Sequence, residues 1–204
     1  MLKKIISALI LGTVSAALFA TYSSAAMAQS VRDDVLRLHV IANSDSSYDQ
    51  SLKLKVRDAI LEKAPEMFKD ACGKSDAWDI SKENLDVLKD IAENELKANG
   101  CDYSVNVSLG ESFFPTKEYE NGYRLPAGFY DALKVEIGEA RGKNWWCILY
   151  PPLCLAGVSE KNDDVMSEIL DDDQLSFVKV GCAENVKIKF KLAEWWGMLS
   201  EKFC

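Results

Sequence analysis

The chain has 204 residues, 48% of them hydrophobic, with 24 basic against 32 acidic side chains and a net charge of −8. This balance excludes the clustered lysine and arginine surfaces that hold phosphate backbones, so nucleic acid is not an expected partner. One histidine rules out a multi-histidine metal centre within a single chain, and the absence of a G-x-S-x-G elbow, a P-loop or a dinucleotide fingerprint removes the common signatures of hydrolases and nucleotide enzymes.

Lys3 and Lys4 precede an uncharged apolar run from Ile5 to Ala20, followed by Ala26-Met27-Ala28. A basic start, a short apolar core and small residues at minus three and minus one are the parts of a secretory signal peptide, with cleavage expected between Ala28 and Gln29. The run lies at the long end of the signal range, so an uncleaved N-terminal anchor is the alternative. Cleavage would remove two lysines and no acid, leaving 22 basic against 32 acidic residues. No second segment of spanning length follows, so the mature form is expected not to span a membrane.

Val35 to Ala42 is a continuous β-prone stretch ending at the cap and turn formers Asn43-Ser44-Asp45-Ser46-Ser47. The spacing of Leu52, Val56, Ala59 and Ile60 predicts a helix from about Tyr48 to Phe68, with Asp49 in its first turn and Pro65 kinking or ending it. Residues 70–80 carry turn signals. A second helix is expected from Ser81 to about Ala98, stopped by Asn99-Gly100. Alternation predicts a half-buried strand over 102–109, a polar loop over 116–124, and a strand from Gly128 to Gly138 with Tyr130, Ala132 or Leu133, Val135 and Ile137 inward. Gly138 and Gly142 bracket a turn. Asn144 to Tyr150 reads as a buried strand ended by Pro151-Pro152.

The fold class expected from this order is α/β (α+β): a small mixed sheet of about four strands, helices mainly on one face, and a C-terminal helix. The expected division is a signal peptide over 1–28, a domain over 29–158, an acidic linker over 159–184, solvated or forming one short helix, and an amphipathic segment over 185–204, read as a helix although Val186 to Leu192 alternates like a strand.

Six cysteines, at 72, 101, 147, 154, 182 and 204, show no zinc spacing. Cys147 and Cys154 flank Tyr150-Pro151-Pro152, where a turn could bring them within disulfide reach; two buried free thiols are the alternative. Cys147, His39 and Asn43 are the residue types of a thiol hydrolase, but His39 and Cys147 both sit in apolar strands and read more simply as core. Asp33, Asp34 and Asp45 lie near one strand without the small-residue loops of an aspartic site, and read as solvated charge. No catalytic residue, metal or cofactor is assigned. A surface-binding module using Trp195-Trp196 is a third reading, opposed by the acidic balance.

Leu38-His39-Val40-Ile41-Ala42-Asn43-Ser44-Asp45, continued by Asp49-Gln50, Leu52-Lys53 and Lys55-Val56-Arg57-Asp58, is similar to the opening block of the stage II sporulation protein R family. Leu125-Pro126-Ala127-Gly128, the strand around Tyr130 to Val135, Ile137-Gly138-Glu139-Ala140, Asn144-Trp145-Trp146-Cys147 and Pro151-Pro152-Leu153-Cys154 follow in that family's order, and Phe190-Lys191-Leu192 with Glu194 resembles its closing block. Ala140-Arg141-Gly142 departs from the glycine-richer turn expected there. The resemblance implies a non-enzymatic signal made in the forespore and exported into the space between forespore and mother cell. There it would trigger a membrane-embedded aspartic protease through that protein's extracytoplasmic portion, leading to removal of the pro-segment of sigma-E. Neither a cofactor nor a small-molecule substrate is implied. Candidate contacts are Asn43, Ser44 and Asp45, then Pro126, Ala127 and Gly128, then Trp145 and Trp146, because interface energy concentrates in aromatic anchors with polar rims.

Overall fold

The computed structural model describes residues 2–119, 122–151, 166–167 and 169–179. Helix α1 (Leu2–Asp34) leads into β1 (Leu36–Ile41), which is buried at all six positions. Three helices follow, α2 (Ser47–Met67), α3 (Lys74–Glu83) and α4 (Leu85–Ala98), and then β2 (Val105–Phe114). A small hairpin, β3 (Lys117–Glu118) and β4 (Arg124–Leu125), precedes β5 (Gly128–Ile137), β6 (Asn144–Tyr150) and α5 (Asp172–Val178).

The main sheet has the order β2-β5-β1-β6. β1 is parallel to β5 and antiparallel to β6, and β2 is antiparallel to β5. The mixed four-stranded sheet with helices mainly on one face is therefore as expected. Leu36, Leu38 and Val40 of β1 and Leu133, Val135 and Ile137 of β5 face α2 and α4, meeting Leu52, Val56, Ile60, Leu88, Ala92 and Leu96 in the principal core. Ser46 caps α2 by accepting from the Asp49 N–H. Pro65 lies in the last turn, and the helix runs two residues past it to Met67.

Three local expectations are corrected. Residues 74–83 form α3 where turns were expected, and Ser81 does not open the next helix; its hydroxyl donates back to the Ala77 carbonyl at 2.7 Å inside α3, and Asn84 separates α3 from α4. The strand over 102–109 starts later and runs on to Phe114, and the polar loop after it contains the β3–β4 hairpin. The inward residues of β5 divide between two faces, since Tyr130 and Ala132 pack with Phe114 opposite the face used by Leu133, Val135 and Ile137.

That opposite face has a cover of its own. Val31 and Val35, Tyr123 and Leu125, Ile148, and Met166, Leu170 and Val178 form a second cluster joining the end of α1, the hairpin and α5. Of the segment expected as an acidic linker, either solvated or forming one short helix, the described part includes the short helix α5, packed in this cluster. Asp171 makes a capping box with Gln174, and Asp172 and Asp173 sit in the first turn, where negative charge favours the helix. The Gln174 amide donates to Ser30 Oγ at 2.6 Å and Asp34 Oδ2 at 2.7 Å, tying α5 to α1. The 185–204 segment lies outside the described residues.

In the turn from β5 to β6, Gly138 has φ 58° and Ala140 has φ 51°. A left-handed alanine is strained by roughly 1–2 kcal/mol, of which the extra chain entropy of glycine would offset part. Ala140→Gly is expected to raise stability by about 0.5–1 kcal/mol, measurable as a higher denaturant midpoint at unchanged slope.

Candidate functional site

The candidate contacts fall into three places. Asn43, Ser44 and Asp45 leave β1 and turn into α2. Asn43 Nδ2 and Ser44 Oγ donate to Asp49 Oδ2 at 2.9 and 2.6 Å, while Asn43 Oδ1 accepts from the Glu139 N–H and Asp45 Oδ1 from the Lys143 N–H. Gln50 donates to the Ser44 carbonyl, and Lys53 Nζ to Gln50 Oε1 and the Lys143 carbonyl. The Ser44 hydroxyl, with the Asn43 amide, holds the Asp49 carboxyl below its usual range, while burial pushes the Lys53 ammonium down. These side chains spend their hydrogen bonds on fixing one loop against the β5–β6 turn.

Pro126 and Ala127 are buried, and Tyr130 Oη donates to the Pro126 carbonyl at 2.6 Å. The Arg32 side chain of α1 lies against Gly128, so this stretch seats the end of the N-terminal helix.

Trp145 and Trp146, neighbours on β6, face opposite sides of the sheet. Trp146 packs against Phe114, Tyr130 and Ala132, 6.3 Å from the His39 ring. Trp145 borders the principal core, with the Arg57 guanidinium 4.4 Å above its ring and Lys117 Nζ at 5.9 Å. Both indole N–H groups are buried, with no acceptor among the described residues.

Sequence reasoning missed Arg37, which is fully buried in β1. Its Nε donates to the Cys147 carbonyl and one terminal nitrogen to Tyr119 Oη, both at 2.8 Å, while the guanidinium lies 4.2 Å from the Phe114 ring and 4.8 Å from Tyr130. Among the described residues no carboxylate pairs with it, and aromatic faces take that place. Burial pushes the Tyr130 phenol up to about 12, against the pull of Arg37. The available signal was a charge inside an otherwise apolar strand.

His39 is also buried, and desolvation lowers its pKa; Lys134 and Arg37 act the same way, with Asn144 and Glu136 opposing. Because the folded value is below the free value of 6.5, the unfolded chain binds the proton first, so this contribution to stability is complete above pH 6.5 and is lost as pH falls below it. Wild type is expected to lose denaturant resistance between pH 7.5 and 5, and His39→Phe to flatten that dependence.

The thiol-hydrolase alternative does not assemble. Cys147 faces the principal core opposite Leu38, His39 faces the other side of the sheet, and Asn43 is engaged by Asp49. Cys147 is also disulfide-bonded, whereas Cys72 and Cys101 are free. Cys154 lies outside the described residues, as do Trp195 and Trp196. Nor do the aspartates converge: Asp33 accepts from Gln29, Asp34 from Gln174 and Asp45 from the Lys143 backbone. Among the described residues no group of three or more His, Cys, Asp or Glu gathers as a metal site would require.

At the N-terminus α1 continues through the expected Ala28–Gln29 cleavage site. Ala28 and Val31 are buried against the body, whereas Ile5, Leu9, Val14, Leu18 and Phe19 are exposed. The helix is long and apolar enough to cross a membrane, and it stands where a signal sequence stands.

These features define a mixed α/β domain carried behind an apolar N-terminal helix, in which Asn43, Ser44 and Asp45 lock a loop and Arg37 and His39 sit in the core. The chain belongs to the stage II sporulation protein R family. The model of that family, Stage II sporulation protein R, matches residues 32–160. The Stage II sporulation protein R of Bacillus subtilis (strain 168) is 34% identical over 182 residues, covering 81% of this chain and 81% of that relative. No solved structure matches the chain.

Proposed function

We propose that this chain is an exported sporulation signal. It leaves the forespore behind its apolar helix, enters the space between forespore and mother-cell membranes, and activates a membrane-embedded aspartic protease by binding its extracytoplasmic portion; the protease then removes the pro-segment of sigma-E. Membership of the stage II sporulation protein R family carries this reading. The apolar helix at the start of the chain supports export. A binding signal of this kind shifts its target only as far as it prefers the active state, so its work lies in surface complementarity and not in bond making. In this reading Cys147 pairs with Cys154, bracing the end of β6 in an oxidising compartment.

The test is co-expression of the chain, the protease and pro-sigma-E in a host that does not sporulate. Processing is expected with the full chain and not with a chain lacking residues 1–28. Equal processing without the chain, or without the protease, would sink the proposal.

A further inference from the structure

We propose that β2, the open edge of the main sheet, docks an extended segment of the partner protein that carries a lysine or arginine between apolar residues. This rests on the reading of the chain as a binding signal and assigns that signal a surface.

β2 ends the sheet and pairs with β5 alone, in unbroken register from Val105 to Phe114. None of its residues holds a hydrogen bond, ion pair or ring contact reaching beyond the described residues. Just before the first pair, the Gly138 N–H donates to the Ser104 carbonyl, and antiparallel alternation from that bond turns the N–H and C=O groups of Val107, Leu109 and Glu111 away from β5. From Asn106 to Ser112 every residue is half-buried or exposed, and the stretch has no proline, lysine or bulge, the usual deterrents to a further strand. On the face opposite α4 it carries only Asn106, Ser108, Gly110 and Ser112, too small to screen the main chain. Such an edge takes an extended peptide through main-chain hydrogen bonds, and the side chains beside it choose the sequence.

The choice here is for positive charge. Glu111 is exposed and has no hydrogen-bond or ionic partner among the described residues. Across the ladder from it stands Asp131, and Lys74 of α3 bonds Asp131 Oδ2 at 2.7 Å, leaving Glu111 uncompensated. On either side of Glu111 along the same face lie apolar residues, half-buried Leu109 and Phe113, whose ring meets that of the 48% exposed Phe129 at 5.5 Å. A strand laid along β2 with a basic residue across from Glu111 would balance the acid pair, and apolar residues two positions away on each side would cover Leu109 and the Phe113–Phe129 pair. A second copy of β2 would bring a further acid and no base, and an acidic segment would meet a chain of net charge −8, so neither is the occupant that this edge selects.

In the full chain, held in detergent micelles, deuterium exchange followed by mass spectrometry reads the outward amides of β2. The heptapeptide TVTKTVT is expected to slow exchange across 105–114 at concentrations about tenfold lower than TVTETVT requires. Glu111→Lys should reverse that preference and Glu111→Gln should reduce it, both changes falling on an exposed side chain. Equal slowing by the two peptides, slowing by neither, or slowing confined to other segments overturns the assignment. The same variants are scored for pro-sigma-E processing beside the protease, where Glu111→Lys is expected to lose about tenfold. Unchanged processing by that variant, shown to be folded, rejects this surface and leaves the proposed function standing. If wild type fails to support processing, the functional reading falls and the exchange experiment alone decides whether the edge takes basic segments.

Discussion

Arg37→Ala is expected to cost about 3–5 kcal/mol of unfolding free energy, and Arg37→Met less than half of that. The alanine variant opens a cavity beneath Phe114 and Tyr130 and removes the donors to the Cys147 carbonyl and Tyr119. A lost large buried side chain alone costs roughly 3–5 kcal/mol, and each orphaned buried acceptor about 1–3 more, which local relaxation partly relieves. Methionine keeps most of the stem volume and removes a buried charge that has no carboxylate partner among the described residues, a change that is often neutral or better. Denaturant unfolding followed by tryptophan fluorescence separates the two. Equal losses would mean that the guanidinium bonds and ring contacts, rather than filled volume, hold this face together; a near-neutral Arg37→Ala would mean that the face does not depend on Arg37 at all.

The elements legible in the sequence were those whose pattern and punctuation agree. β1 ends at a cluster of cap formers, α2 begins there with a capping serine, and β6 is an apolar run stopped by prolines. What escaped is instructive for the same reason. α3 has only Ala77 and Ser81 buried along ten residues, too few to produce a helical period. In α5 the acids that suggested solvent occupy the first turn, and its contacts with α1 are long-range. Tyr130 and Leu133 both read as inward because β5 is covered on both faces, and alternation can report only one.

The candidate site was legible as motif and not as role. Asn43-Ser44-Asp45 stands out in sequence because its residue types cap and turn, and that is largely how the structure uses it. Arg57 and Lys117 lie 60 residues apart and meet only around Trp145. No local pattern could have joined them, since α2, β3 and β6 come together only when the chain folds.

Gly142→Ala is expected to be among the most damaging small substitutions, lowering stability by about 3 kcal/mol or more. Its backbone is not in the left-handed region, so the constraint is space: an added Cβ would fall on the backbone carbonyl of Ser44 and within 2.9 Å of the Ala42 Cβ. The main chain cannot rotate aside as a side chain would. The turn is fastened along its length, with the N–H of Gly142 donating to the Ala42 carbonyl, that of Arg141 to the Asn43 carbonyl, that of Glu139 to Asn43 Oδ1 and that of Lys143 to Asp45 Oδ1. Relieving the clash by even part of an ångström would lengthen several of these bonds together. Overpacking costs roughly 1–3 kcal/mol and each broken bond about 1 more. Because β6 starts two residues later, the displacement would carry into Asn144 and Trp145 at the start of that strand. Ala140→Gly in the same turn is the control, moving stability the other way while leaving the fastening intact. A Gly142→Ala chain losing less than about 1 kcal/mol would show that loop and turn are not fastened as drawn, and that the Asn43–Asp49 network holds α2 without holding β6.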